Sequence, residues 1–277
     1  YFRRNLSKEK HPPIDEVIRM GAIPRIISFL HLDIDCNLQY EAVFCISYIA
    51  CGDREEHGTV LFNNDVLVPL LALLCDTKYE RVRDACMGCL GNISAYVDEC
   101  RDTLLEYGIM KPLRWQLGLS TTEIELNPVV FNAFTENSSL DHLDGPSNNP
   151  SLTTIIYTSW CLSYLNKGET PIDPLIRRYT VEALSVLLFS PDPKVTLTVL
   201  STLLTLCESS DALQNIQFII DRGILKGLYD LVVTLSHKIS SIDLQQFESR
   251  YLENDHSENS SGTYHYDPKS KEMGHEL

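Results

Sequence analysis

A short apolar segment with an internal proline recurs along this chain, and its spacing limits the folds open to it. Gly21-Ala22-Ile23-Pro24-Arg25-Ile26-Ile27-Ser28-Phe29-Leu30 is echoed by Val66-Leu67-Val68-Pro69-Leu70-Leu71-Ala72-Leu73-Leu74, and again by Gly108-Ile109-Met110-Lys111-Pro112-Leu113. The first two prolines stand 45 residues apart and the next two 43. Such a period belongs to stacked helical repeats, each of which buries its apolar face only against its neighbours.

Each proline can occupy the first turn of a helix, where its missing N–H has no intrahelical partner to lose. Some twenty residues later a second helix is predicted, over Leu38–Ala50, Val82–Ala95 and Leu152–Leu165, with apolar residues at helical spacing such as Ala42, Cys45, Ile46 and Ile49. Period-two alternation is almost absent, so no sheet is expected. A fourth unit runs from Pro174 to Cys207 with a break at Ser190-Pro191-Asp192-Pro193, and a fifth begins at Leu213 and fades after Val233. The period lies in the armadillo and HEAT range. Unit boundaries are placed at about 11–57, 58–100, 101–168 and 169–210, with a partial unit at 211–236. From Pro112 to Trp160 is 48 residues where the matching intervals are 20 and 19, so roughly 28 are inserted. Asn127–Ser151 is rich in Asn, Ser, Asp, Pro and Gly and is expected to be a mobile polar loop. Residues 237–277 are expected to be a degenerate or disordered tail, being polar and poor in aliphatics from about Glu253.

Composition narrows function. The 277 residues are 44% hydrophobic and 22% charged, as in a globular chain, and carry a net charge of −15. Phosphate binding needs a basic stripe, so nucleic acid is not the expected ligand, and basic partners are favoured. No apolar run approaches the roughly 18 residues of a membrane span; the longest, Val66–Cys75, contains Pro69. Nine cysteines without framework spacing suit a reducing compartment, cytosol or nucleus. Cys86 and Cys89 form a Cys-x-x-Cys inside a predicted helix, without a second pair, and read as structural. The eight histidines show no ligand spacing, so no metal and no cofactor are expected. Four Asn-x-Ser sequons, at Asn5, Asn92, Asn137 and Asn259, are not expected to be glycosylated in such a compartment. Neither a phosphate loop nor a nucleophile elbow is present, and an enzyme is not predicted.

Several strings carry a resemblance. Pro12-Pro13-Ile14-Asp15-Glu16-Val17-Ile18 with Gly21 and Pro24, then Leu38-Gln39-Tyr40-Glu41-Ala42, resemble the opening repeats of importin-α. So do Leu90-Gly91-Asn92-Ile93 with Cys100-Arg101-Asp102, Ser159-Trp160-Cys161-Leu162-Ser163-Tyr164-Leu165, and Ile216-Gln217-Phe218-Ile219-Ile220-Asp221-Arg222-Gly223. The matches keep family order from residue 1 to about 236. The resemblance implies an all-α, right-handed superhelical armadillo solenoid whose third helices line a concave groove. It also implies a function: an adaptor binding the basic nuclear-localisation peptides of cargo proteins, moving between cytoplasm and nucleus with importin-β. The basic N-terminal arm that recruits importin-β is absent from this sequence, and Phe2-Arg3-Arg4 resembles the point where that arm ends.

In that family the groove carries Trp and Asn at i, i+4, on one helix face a turn apart. The Asn amide holds the backbone of an extended peptide, while Trp rings wall slots for Lys or Arg stems, each ring adding about 0.5–2 kcal/mol of cation–π attraction. The Trp positions fall on Phe44, Gly88, Trp160 and Ser201, and the Asn positions on Tyr48, Asn92, Tyr164 and Thr205. Trp160 and Asn92 match outright, and Tyr in the Asn place occurs in the family's later repeats. Gly88 removes a slot wall. The family's lysine-binding aspartate aligns with Tyr96, leaving Asp98 as a substitute if the turn shifts. The resemblance thus nominates Trp160, Asn92, Tyr164, Phe44, Tyr48 and Asp98; for Phe44, Tyr48 and Tyr164 packing between repeats is the alternative role. The eroded Trp and Asn array also fits a rival function, an armadillo scaffold that has lost localisation-signal binding and recognises another protein.

Overall fold

The computed structural model describes residues 2–8, 12–31, 34–52, 54–131, 133, 150–168 and 170–240. Among these residues every regular element is a helix. The first full unit comprises α2 (Ile14–Arg19), α3 (Ile23–Ser28) and α4 (Cys36–Ala50). The second comprises α5 (Glu55–Asn63), α6 (Leu67–Asp76) and α7 (Glu80–Tyr96). The third holds α8 (Asp98–Glu106), α9 (Met110–Gln116), the short α10 (Pro128–Phe131) and α11 (Leu152–Leu165). Then follow α12 (Pro174–Leu187) with α13 (Pro193–Glu208), and α14 (Ala212–Asp221) with α15 (Ile224–Ser240). A leading helix, α1 (Phe2–Lys8), packs on α4.

The repeat owes its regularity to local chemistry. Pro24, Pro69 and Pro112 each lie in the first turn of their helix. Between the first and second helix of a unit the chain turns through a left-handed residue: Gly21 at φ 67°, Gly108 at φ 84°, Gly223 at φ 70°, and Asp65 at φ 55° in the same place in the second unit. Asp is among the few side chains that tolerate this region without glycine's freedom. Four of the longer helices, α4, α11, α12 and α13, start on side-chain caps that occupy otherwise unpaired N–H groups. Asp35 accepts from Asn37 N and Leu38 N, Ser151 from Thr154 N, and Asp173 and Asp192 each precede a proline that opens α12 and α13.

The long helices stack in the order α4, α7, α11, α13, each against the next. Their buried faces join the apolar helices behind them, such as α6 with Leu70, Leu71, Leu73 and Leu74 fully buried, in one continuous core. Buried arginines tie successive units. Arg101 donates to the carbonyls of Lys167 (2.6 Å) and Thr170 (3.2 Å), Arg114 pairs with Glu182 at 2.8 Å, and Arg177 pairs with Asp211. Such groups are tolerated inside because each finds a charged or carbonyl partner.

Two expectations meet a different structure. The insertion is not polar loop from Asn127 onward. Residues 128–131 form α10, with Val130 fully buried against α6, because Val129-Val130-Phe131 is an apolar island in a polar stretch. The segment before it also lies on the fold: Lys111 Nζ donates to Ile124 O at 3.2 Å, and Asn127 N to Tyr107 O at 3.3 Å. Residues 132 and 134–149, where the rest of that loop was expected, lie outside the described residues. At the other end α15 continues to Ser240, beyond the predicted boundary at 236, and the remainder of the expected tail lies outside the described residues.

Candidate peptide-binding groove

The stacked helices α4, α7 and α11 present one row of side chains. On α4, Tyr40, Phe44 and Tyr48 follow each other at i, i+4, their rings in contact at centroid distances of 4.7 and 6.4 Å. All three are half-buried, and the Arg3 guanidinium of α1 sits 5.8 Å over the Phe44 ring while pairing with Glu41 at 2.6 Å. One cationic partner of Phe44 is therefore supplied by the chain itself.

On α7 the nominated Asn92 is only 5% exposed, and its amide donates to Ser47 Oγ on α4 at 3.0 Å. The gap left by Gly88 is taken from across the groove. A Cβ at Gly88 would lie 2.8 Å from the Tyr157 ring of α11. The slot bounded by Phe44, Ser47, Gly88, Asn92 and Tyr157 keeps only about 10 Å³, room for roughly one water. Tyr157 in turn meets Trp160 edge-on, centroids 5.7 Å apart at 90°. Tyr164, one turn further, packs its ring 3.5 Å from where a Gly91 Cβ would sit, and Lys167 Nζ lies 5.0 Å over that ring.

The nominated residues are thus only partly united. Phe44, Tyr48 and Asn92 lie along α4 and α7, with Trp160 and Tyr164 alongside on α11. Asp98 lines neither the slot nor the larger cleft described next. It stands exposed in the first turn of α8, its Oδ1 3.2 Å from the position of a Gly168 Cβ at the turn after α11.

Open space lies toward the N-terminal ends of these helices. A cleft of about 460 Å³ is lined by the rings of Tyr40, Phe44 and Tyr157, by Glu80, Arg81 and Asp84, and by Ser151 and Thr153. Asp84, 6% exposed, accepts the Thr154 hydroxyl at 2.8 Å; Glu80, exposed, is 3.1 Å from the same oxygen. One hydroxyl hydrogen serves only one carboxylate at a time. Burial pushes the Asp84 carboxyl up to about 6. Hydrogen bonding from Ser151 lowers that of Glu80 despite its partial desolvation. Tyr40, Glu80, Asp84 and Tyr157 were not nominated from the sequence. Their signal was faint but present: Glu80 and Asp84 extend the Gly88 and Asn92 ladder by two turns, and Tyr40 extends Phe44 by one.

The Cys86 and Cys89 pair is not a reactive site. Cys86 and Cys89 are fully buried, and burial raises both thiols well above their ordinary value, which leaves them protonated and inert. Among the described residues no group of three His, Cys, Asp or Glu side chains could hold a metal. No helix among them is long and apolar enough to cross a membrane alone.

Comparison with known proteins places this arrangement. No family model matches the sequence. The chain is 30% identical over 247 residues to importin subunit alpha-1a of Oryza sativa subsp. japonica, covering 83% of this chain and 46% of that protein. It is 29% identical over 244 residues to importin subunit alpha-3 of Arabidopsis thaliana, covering 83% and 45%. The chain therefore spans about half the length of the curated relatives it matches. Among solved structures it resembles a designed armadillo repeat protein in complex with peptide (KR)4, with TM-score 0.62, 21% identity and 83% of each chain covered. It also resembles computationally designed armadillo repeat proteins for modular peptide recognition, with TM-score 0.63, 20% identity and 83% and 82% covered. The chain is an all-α armadillo-repeat protein and a diverged relative of the importin-α subunits over the stretch it spans.

Proposed function

We propose that this chain is the cargo-binding part of a nuclear import adaptor, and that its groove receives an extended basic peptide of the nuclear-localisation kind. The observation that carries the reading is the row of aromatic rings and carboxylates along α4, α7 and α11, on a chain of net charge −15. Rings give lysine and arginine stems an apolar wall and a cation–π partner, and carboxylates select their heads. In this reading Phe44, Tyr48, Trp160 and Tyr164 wall the slots, and Asn92 holds the peptide backbone once Tyr157 swings aside. Asp98 attracts basic residues at the C-terminal edge of α7. Passage between cytoplasm and nucleus, with importin-β as onward partner, extends the same proposal from the importin-α kinship.

The test is titration of a labelled lysine-rich localisation peptide at two salt concentrations, with a Lys→Ala peptide as control. Micromolar or tighter binding that weakens with salt and needs the lysine is the expected result. Trp160→Ala and Asn92→Ala should each lower that affinity by about tenfold, the equivalent of roughly 1.4 kcal/mol. A specific observation favours a second reading, an armadillo scaffold for some other protein. The Asn92 amide is spent on Ser47, and the matching positions on α13 are Ser201 and Thr205. Absence of peptide binding, with the two variants indistinguishable from the parent, would select the scaffold.

A further inference from the structure

Asp84 is only 6% exposed, yet among the described residues no cation lies within ion-pair distance of its carboxylate or of Glu80. Buried charges are ordinarily paired. The nearest candidates are engaged elsewhere. Arg83 donates to Thr77 O at 2.8 Å and lies 5.6 Å over the Trp115 ring, and Arg81 bonds Asn37 and lies 5.2 Å over Tyr40. Asp84 instead forms part of the wall of the 460 Å³ cleft, among the rings of Tyr40, Phe44 and Tyr157. Its lining carries the three rings, the carboxylates of Asp84 and the exposed Glu80, and one cation, Arg81, whose guanidinium is held by Asn37 and the Tyr40 ring, leaving the two carboxylates in excess.

We infer that this cleft is a subsite for one lysyl side chain. The alkyl stem lies against Tyr157 and Phe44, and the ammonium reaches Asp84 with Glu80 alongside. The inference rests on the peptide-binding reading above and shifts the main cation site two turns along α7, from the level of Asn92 to that of Asp84. The shift has a cause in this chain. With glycine at 88 the Tyr157 ring folds into the vacant place, closing the slot at Asn92 to about 10 Å³ and standing as a wall of the open cleft. Lysine is preferred to arginine because Asp84 Oδ1 already accepts the Thr154 hydroxyl. A guanidinium fork seeks two coplanar oxygens, whereas an ammonium acts as a point charge.

Two measurements on the full chain test this separately from peptide binding. The first titrates Nα-acetyl-lysine-methylamide at millimolar concentration and follows the tyrosine ring resonances by NMR, with the norleucine analogue as uncharged control. The rings of Tyr40 and Tyr157 should shift with the lysine probe alone, and Asp84→Asn, whose amide oxygen still accepts from Thr154, should abolish the shift. Glu80→Gln, at an exposed position, should weaken it. The second measures the lysine-rich peptide, whose affinity should fall about tenfold in Asp84→Asn. No probe shift in the parent, or a shift unchanged in Asp84→Asn, overturns the subsite. If the probe shifts the rings as expected while the peptide does not bind, the subsite stands and the import reading falls; a peptide bound equally by parent and Asp84→Asn leaves the import reading and removes the subsite.

Discussion

The two halves of the stack bury similar cores but present different faces. Along α4, α7 and α11 the accessible row is aromatic and acidic: Tyr40, Phe44, Glu80, Asp84, Tyr157 and Trp160. On α13, the next helix in the stack, the corresponding face is aliphatic, with Leu197 50%, Leu200 38% and Leu204 58% exposed beside Ser201 and Thr205. The apolar exposure continues over α14 and α15, at Leu213, Ile220, Leu225 and Val232. An aliphatic stripe offers neither quadrupole nor charge to a cation, so the basic-peptide recognition proposed above rests on the first half alone. The same architecture therefore separates stacking, which needs only apolar spacing, from recognition, which needs particular side chains at particular turns.

The largest expected effect separates core from face. Leu90, on α7, is fully buried, whereas Leu204, on α13, is 58% exposed. Leu90→Ala should cost about 2–5 kcal/mol, since neighbouring repeats close only partly over the cavity. Leu204→Ala should cost less than about 0.5 kcal/mol. Urea unfolding followed by circular dichroism reads both as shifts of the transition. A large loss at Leu204 would mean that the aliphatic stripe is packed in solution and that the contrast between the halves is wrong.

The acidic half should also show its cost in stability. Burial holds the Asp84 carboxyl at about 6 against an ordinary 3.8. Both states bind the proton below the lower value; between the two the unfolded chain ionises while the folded chain does not, so stability falls as pH rises through this window and then levels off. Asp84→Asn removes that penalty. The variant should gain on the order of 2–3 kcal/mol over the parent at pH 7 and nothing near pH 3.5. Equal gains at both pH values would show that the side chain acts through packing rather than charge. A stabilising substitution that weakens lysine binding would mark Asp84 as kept for recognition.

How far the sequence discloses this arrangement depends on the distance over which a contact acts. The repeats were legible because their determinants are local: prolines in first turns, Asp-Pro steps before α12 and α13, a left-handed residue before α3, α6, α9 and α15. Phe44, Asn92 and Trp160 were nominated by the family resemblance, whose i, i+4 motif can be followed along single helices. The role of Tyr157 did not, since it depends on an absent side chain at Gly88, 69 residues earlier in the chain. The Thr154 to Asp84 hydrogen bond likewise joins residues 70 apart. Nor did composition separate Val129-Val130-Phe131 from the polar insertion around it, although Val130 is fully buried where α10 meets α6.

The smallest expected effect is the most discriminating for the groove itself. Gly88→Ala adds about 1 kcal/mol of helix propensity in the interior of α7. It also sets a methyl group 2.8 Å from the Tyr157 ring, closer than carbon atoms approach in folded proteins. The ring is half-buried at the edge of an open cleft and has room to turn, so the two contributions should nearly cancel, leaving a net change within about 0.5 kcal/mol. The local geometry should change nonetheless. Tyr157 meets Trp160 edge-on, and displacing one ring alters the asymmetric environment of the other, which near-ultraviolet circular dichroism records. An altered aromatic spectrum at unchanged stability would confirm that Tyr157 fills the place of the missing side chain. An unchanged spectrum would mean that the ring already lies elsewhere, that the slot at Asn92 is open, and that the two turns of α7 compete on equal terms for the same lysine.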